Sequence, residues 1–134
     1  LGLKVLATVI EGVSIAINAS RMPEGPGFAM KKIIKKAGMK YDDIAVMEIN
    51  EAFACVPLVS MMVAVDKDKA KYKAMREKMN INGSAIAIGH PNTASGARLI
   101  MNLMYELHRQ GGGYAMGAIC GGLAQANACI IKVE

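Results

Sequence analysis

The chain has 134 residues, 53% of them hydrophobic, and a formal net charge of +5 from 16 Lys and Arg against 11 Asp and Glu. That length is one domain on the usual scale of about 100–200 residues, and the apolar content is enough for a packed core. The modest positive charge suits a small anionic ligand but not a nucleic acid, because no aromatic and basic residues interleave as an RNA-binding sheet requires.

Taken in chain order, the pattern predicts an α/β domain. Leu3 to Ile17 is rich in aliphatic and β-branched residues and reads as a long strand, bulged around Gly12. A loop over 21–27 leads into a short amphipathic helix from Phe28 to Ala37, with Ile33, Ile34 and Ala37 on one side, lysines on the other and Gly38 as its stop. Ile44 to Ile49 is a second strand. A helix from near Glu51 to Val65 must accommodate Pro57, and an interior proline costs about 3 kcal/mol. That cost is small if the regular helix starts only around Val56. Asn50 then lies at the carboxyl end of a strand, where open α/β sheets bind their ligands.

In the segment 66–79 acids interrupt a run of bases, which reads as a solvated helix or loop, with an electrostatic lure for phosphate or an acidic partner as the alternative. Asn80 to Asn82 is expected as a short strand. A third helix, Ala94 to Gln110, carries Ala97, Ile100, Met104 and Leu107 at three- and four-residue spacing and ends at Gly111. Tyr114 to Cys120 and Ala126 to Val133 form the last two strands. The expectation is a five-stranded mixed sheet in the order β-α-β-α-β-α-β-β, with right-handed crossovers placing helices on its faces.

The uncharged run from Gln110 to Ile131 is long enough to span a bilayer. Its glycines, with Gln125 and Asn127, make it poorly apolar, and Gly121-Gly122 divides it as two buried strands joined by a bend require. No membrane association is expected. Cys55, Cys120 and Cys129 are odd in number and lack disulfide or zinc spacing. They read as reduced thiols in a cytoplasmic protein, with no metal site. No N-terminal signal is visible. Eleven methionines beside two Phe, four Tyr and no Trp describe a core filled by flexible side chains, suited to a face completed by another chain.

Three islands carry chemistry. In Gly89-His90-Pro91 a histidine stands just before a helix that opens with small residues, where backbone N–H groups favour negative charge. Cys120 lies between a strand and two glycines, where backbone can approach a ligand closely. Asn50-Glu51-Ala52-Phe53 follows the second strand. Each has a plain alternative: a lone His is usually a surface or satisfied core residue, a free Cys a small buried one, and Asn before a helix a cap.

In this order the islands resemble the C-terminal half of a thiolase, the family that makes or cleaves 3-ketoacyl-CoA. The resemblance runs from Leu1-Gly-Leu-Lys-Val-Leu-Ala through Gly25-Pro-Gly and Asp42-Asp-Ile-Ala-Val-Met-Glu-Ile-Asn-Glu-Ala-Phe to Ala118-Ile-Cys-Gly-Gly-Leu-Ala. It implies that His90 activates a nucleophilic cysteine and helps form an oxyanion hole. Asn50 holds the water that completes that hole, and Cys120 exchanges a proton with substrate beside a second oxyanion donor, the N–H of Gly122. Phe53, Gly89 and Pro91 are expected along the coenzyme A path, with the CoA thioester as substrate and no tightly bound cofactor. Cys55 and Cys129 match no motif position and read as core. Thr93 stands where the family commonly has glycine, which threatens to narrow the pocket or shift the helix start, and against the family pattern 66–79 reads as a charged insertion.

The family's first half, with its nucleophilic cysteine, does not occur in these residues. The resemblance therefore implies an N-terminal thiolase half as partner, on a separate chain or in another segment of a longer protein, and an oligomer. The alternative is a non-catalytic thiolase-like scaffold or acyl-CoA-binding partner, which has no physical need for Asn50, His90 and Cys120 together.

Overall fold

A computed structural model describes residues 2–134; Leu1, where the resemblance begins, lies outside them. The elements are β1 (Thr8–Ala16), α1 (Gly25–Ala37), β2 (Ile44–Ile49), α2 (Cys55–Ala64), α3 (Lys69–Glu77), the single turn α4 (Ala85–Ile88), α5 (Ser95–Gln110), β3 (Gly113–Cys120) and β4 (Gln125–Val133). The strands form one four-stranded sheet in the order β1-β4-β3-β2. β4 runs antiparallel to both neighbours, and β2 lies parallel to β3. Among the described residues no helix is long and apolar enough to cross a membrane.

The sheet has four strands rather than the expected five, and the chemistry of Asn80 explains why. The segment before it begins to pair with β2, as a single parallel bridge between Met79 and Met47. Asn80 then turns away with φ of +52°, a region that asparagine tolerates better than most residues. Its side-chain amide supplies the next rung in place of backbone: Oδ1 accepts from Ile49 N–H at 2.8 Å and Nδ2 donates to Ile49 O at 3.0 Å. The sheet edge is closed without a strand.

β1 is shorter than expected. Thr8 already pairs with Lys132 near the end of β4, so Leu3 to Ala7 have no strand beside them, and Leu3 and Val5 stay exposed. The irregularity falls between Val9 and Glu11 rather than at Gly12.

Helices cover both faces. One carries α1 and α2 over Met47, Ile49, Met116, Ala118 and Ile130; the other carries α5 over Val46, Ala115, Ile131 and Val133. α5 presents Leu99, Leu103 and Leu107, all at most 2% exposed, each contributing about 1.5–3 kcal/mol by burial. Of the stripe expected there only Leu107 is buried; Ala97 is exposed and Ile100 and Met104 are half-buried. The true stripe repeats every four residues, and the expected one was rotated toward the side of the helix. α2 begins at Cys55, so Pro57 falls in its first turn, where its missing N–H costs nothing. Cys55 is exposed rather than core, because it opens the helix on the solvent side; Cys129 is half-buried against the α5 layer.

The charged segment becomes α3, capped by Asp68, whose carboxylate accepts from the N–H groups of Ala70 and Lys71. It is not wholly solvated. Met75 enters the core, and the Lys78 ammonium donates to the carbonyls of Tyr41 and Ile44 at 2.6 and 2.7 Å. Burial lowers the pKa of that lysine.

α1 and α2 approach so closely at Gly27 that a Cβ there would collide with the Ser60 carbonyl oxygen and lie 2.9 Å from Val63 Cβ. Gly27→Ala is expected to lower stability by about 1–3 kcal/mol, the usual cost of forced overpacking, as read from the urea midpoint. Glu106 offers a second check. Hydrogen bonds from Asn82, Gln110 and Arg109 hold its carboxyl at about 2. A depressed carboxylate stabilises the fold above its unfolded value of about 4.3, and the contribution is lost as pH falls toward the folded value. Glu106→Gln is therefore expected to be less stable than wild type at neutral pH, with the gap in urea midpoints closing between about pH 4 and pH 2.

Candidate functional site

The site forms where β2 and β3 end side by side. The backbone N–H of Asn50 extends the parallel ladder by one step, donating to Ala118 O at 3.0 Å. This holds Asn50 next to the last residues of β3, and its side chain is fully buried. It caps no helix: the residue preceding α2 is Ala54, which offers no side-chain bond. Its amide instead meets Arg98 Nη2 at 2.9 Å through Oδ1, and His90 Nε2 at 3.4 Å through Nδ2.

His90 is reached through a turn built for it. Gly89 sits at φ of +95°, accessible to glycine, and its N–H donates to Ala85 O at 2.8 Å. Pro91 follows, and its carbonyl accepts from Ala94 N–H, Ser95 N–H and Ser95 Oγ at 2.8, 2.9 and 3.1 Å. The open start of α5 is thereby tied to the His90 turn. The other ring nitrogen of His90, Nδ1, lies 2.6 Å from Ser95 Oγ. Glu51 fastens the neighbouring loop, its carboxylate accepting from Ile86 N–H at 3.1 Å.

Cys120 ends β3 opposite Ala126. The chain then makes a tight turn in which Leu123 and Ala124 both take positive φ, and Gly121 N–H closes it onto Gln125 O at 2.7 Å. Burial raises the Cys120 thiol above the ordinary thiol range.

A cleft of about 350 Å³ brings these pieces together. His90 and Asn92 form one wall, Cys120, Gly121 and Gly122 another, with Ala52, Ile119 and Met22 completing it. Of the residues singled out from sequence, His90, Cys120 and Gly122 line this cleft, and Asn50 stands behind His90. Phe53, Gly89 and Pro91 do not line it; all three are exposed. Thr93 is exposed outside the cleft and does not narrow it, and α5 starts at Ser95, one residue later than expected. Among the described residues no group of three His, Cys, Asp or Glu could hold a metal ion.

Sequence reasoning passed over the buried support. Glu48, 5% exposed, points to the α5 side of β2 and pairs with Arg98; it also accepts from Ser84 Oγ at 2.8 Å. Arg98 Nη2 lies 3.4 Å from that hydroxyl, while its buried Nε has no hydrogen-bond partner. A glutamate inside the apolar run Ile44–Ile49 was the signal available, since a carboxylate in a buried strand demands a partner.

A family model described as "Thiolase, C-terminal domain" matches residues 3–133. The chain is 39% identical over 132 residues to an acetyl-CoA acetyltransferase of Syntrophomonas wolfei, covering 98% of this chain and 32% of that protein. It is 38% identical to a 3-ketoacyl-CoA thiolase of Aliivibrio fischeri, covering 98% and 33%. The crystal structure of human mitochondrial 3-ketoacyl-CoA thiolase in complex with CoA superposes with a TM-score of 0.86 at 37% identity, over 98% of this chain and 31% of that one. The chain spans about a third of the length of these relatives. With its sheet, its loops and nearly all of its length accounted for, the chain belongs to the thiolase family.

Proposed function

We propose that this chain supplies the C-terminal half of a thiolase active site, acting on CoA thioesters once an N-terminal half provides the nucleophilic cysteine. The observation that carries this reading is the shared cleft: His90 and Cys120, distant in sequence, face one space beside Gly122. His90 is the base that takes the nucleophile's proton and, charged, helps hold the thioester oxyanion. Asn50, behind it, holds the water that completes this hole, and the N–H of Gly122 serves the second. Cys120 gives a proton to the carbanion released when the bond between C2 and C3 of a 3-ketoacyl-CoA breaks, or removes one from acetyl-CoA in the reverse direction.

The surroundings of the cleft fit a site awaiting its other half. Phe53 and Leu123, next in sequence to the cleft residues Ala52 and Gly122, and Ile86 and Ile88, in the turn before His90, are 59–88% exposed. Large exposed apolar patches mark contact surfaces. Phe53, Gly89 and Pro91, each next in sequence to a cleft residue, meet the pantetheine arm in this reading once the N-terminal half closes over them. The small positive excess of the chain agrees with an anionic CoA ester.

The test is acetoacetyl-CoA thiolysis by the chain assembled with a thiolase N-terminal half. His90→Ala is expected to assemble normally and to lose about 10³-fold in kcat, within the usual range for a general base. An assembled His90→Ala complex with an unchanged rate would sink the enzyme reading. The thiol of Cys120 gives a second check. Burial disfavours its thiolate, so at a given pH a smaller fraction is ionised than in a free thiol. Iodoacetamide is expected to label exposed Cys55 before Cys120 at about pH 8, and Cys120 labelling should rise only at higher pH. Faster labelling of Cys120 at neutral pH, read by peptide mass, would contradict a proton-donor role.

A further inference from the structure

The hydrogen bonds around His90 have a direction, and it originates at a residue outside the cleft. A guanidinium can only donate. Arg98 Nη2 lies 2.9 Å from the Asn50 side chain, so the atom it meets there is the amide oxygen. The NH₂ group of Asn50 therefore faces His90 Nε2, at 3.4 Å. Two N–H groups cannot usefully face each other, so Nε2 presents its lone pair and the ring proton sits on Nδ1. From there it is donated to Ser95 Oγ at 2.6 Å, and the Ser95 hydroxyl passes its own hydrogen to Pro91 O at 3.1 Å. Each step leaves the next group one orientation. Arg98 is itself held by Glu48, which Ser84 Oγ also meets; the side chains of the pair are 15% and 6% exposed.

We propose that Arg98 is a positioning residue: anchored on Glu48, it fixes the Asn50 amide and through it selects the Nδ1–H tautomer of His90, so that Nε2 is the unprotonated nitrogen, the one able to take up a proton in place of its long contact with Asn50. The bond made by one ring nitrogen decides which nitrogen carries the proton; here the decision is made two hydrogen bonds away. The consequence for catalysis rests on the thiolase reading, but the tautomer itself does not.

The ring is observed directly by ¹⁵N NMR of the untagged protein, with the label confined to the residues of this chain, assembled with an unlabelled N-terminal half. The sequence has only two histidines, His90 and His108, and a His108→Gln variant assigns them. The neutral His90 ring is expected as the Nδ1–H form. Arg98→Met frees the Asn50 amide to turn, and at least about half of the neutral ring is expected to move to Nε2–H. In acetoacetyl-CoA thiolysis the same variant is expected to lose about 100-fold in kcat, the scale of a misplaced catalytic group, with KM changed less than about twofold.

Arg98→Met strands the Glu48 carboxylate, so the double variant Glu48→Gln/Arg98→Met removes both charges together, which buried pairs often tolerate. It is expected to give the same tautomer shift. A wild-type ring protonated on Nε2, a folded variant that keeps Nδ1–H in full, or an unchanged kcat would each overturn the proposal. If wild type shows Nδ1–H, the variants shift it and the assembled protein has no thiolysis activity, the positioning role stands and the thiolase reading fails.

Discussion

The site depends on one pairing, the parallel alignment of β2 with β3. Parallel neighbours point their carboxyl ends the same way, so the Asn50 and Cys120 loops leave the sheet together. Parallel strands also cannot be joined by a tight turn. The chain must return over the sheet before β3 begins, and that return path, through α2, α3, α4 and α5, carries the His90 turn back to the end from which it started. Topology thus delivers three distant segments to one cleft. The antiparallel β3–β4 hairpin contributes the close turn after Cys120, where Gly121 bonds back to Gln125.

Much of this was legible in the residues. The apolar runs located all four strands, Gly38 and Gly111 marked helix ends, and Gly-His-Pro and Cys-Gly-Gly announced unusual backbone. What was not legible is instructive. The segment after Met79 offers one β-branched residue, Ile81, between two asparagines, and a side-chain amide replaced the backbone rung; local composition did not separate an asparagine that joins a strand from one that imitates it. The buried stripe of α5 was displaced because Leu99, Leu103 and Leu107 compete with Ile100 and Met104 on adjacent lines of the same helix, and only the sheet beneath decides between them. The Glu48–Arg98 pair joins β2 to α5 across a distance in sequence that no periodicity spans.

The polar layer between β2 and α5 sits in the part of the core where hydrophobic packing would have been simpler. A buried ion pair is weak evidence of stability, and here one carboxylate serves both a guanidinium and a hydroxyl while that guanidinium also reaches Asn50. The arrangement gains direction rather than strength. Hydrocarbon packed in the same space would leave the Asn50 amide free to turn its oxygen toward the ring it faces. The charged segment, by contrast, is put to structural use. α3 contributes Met75 to the core, and Lys78 after it ties down the turn that starts β2.

The bare apolar side chains around the cleft also bear on what stability means for this chain. Phe53, Ile86, Ile88 and Leu123 stand in water at the cost of their hydration. Any surface that covers them binds the folded form and not the unfolded one, so it shifts the folding equilibrium in proportion to its own concentration. Where such a surface is present, a melting temperature of this protein is a property of the mixture. It has a fixed value only when the amount of the covering surface is stated with it.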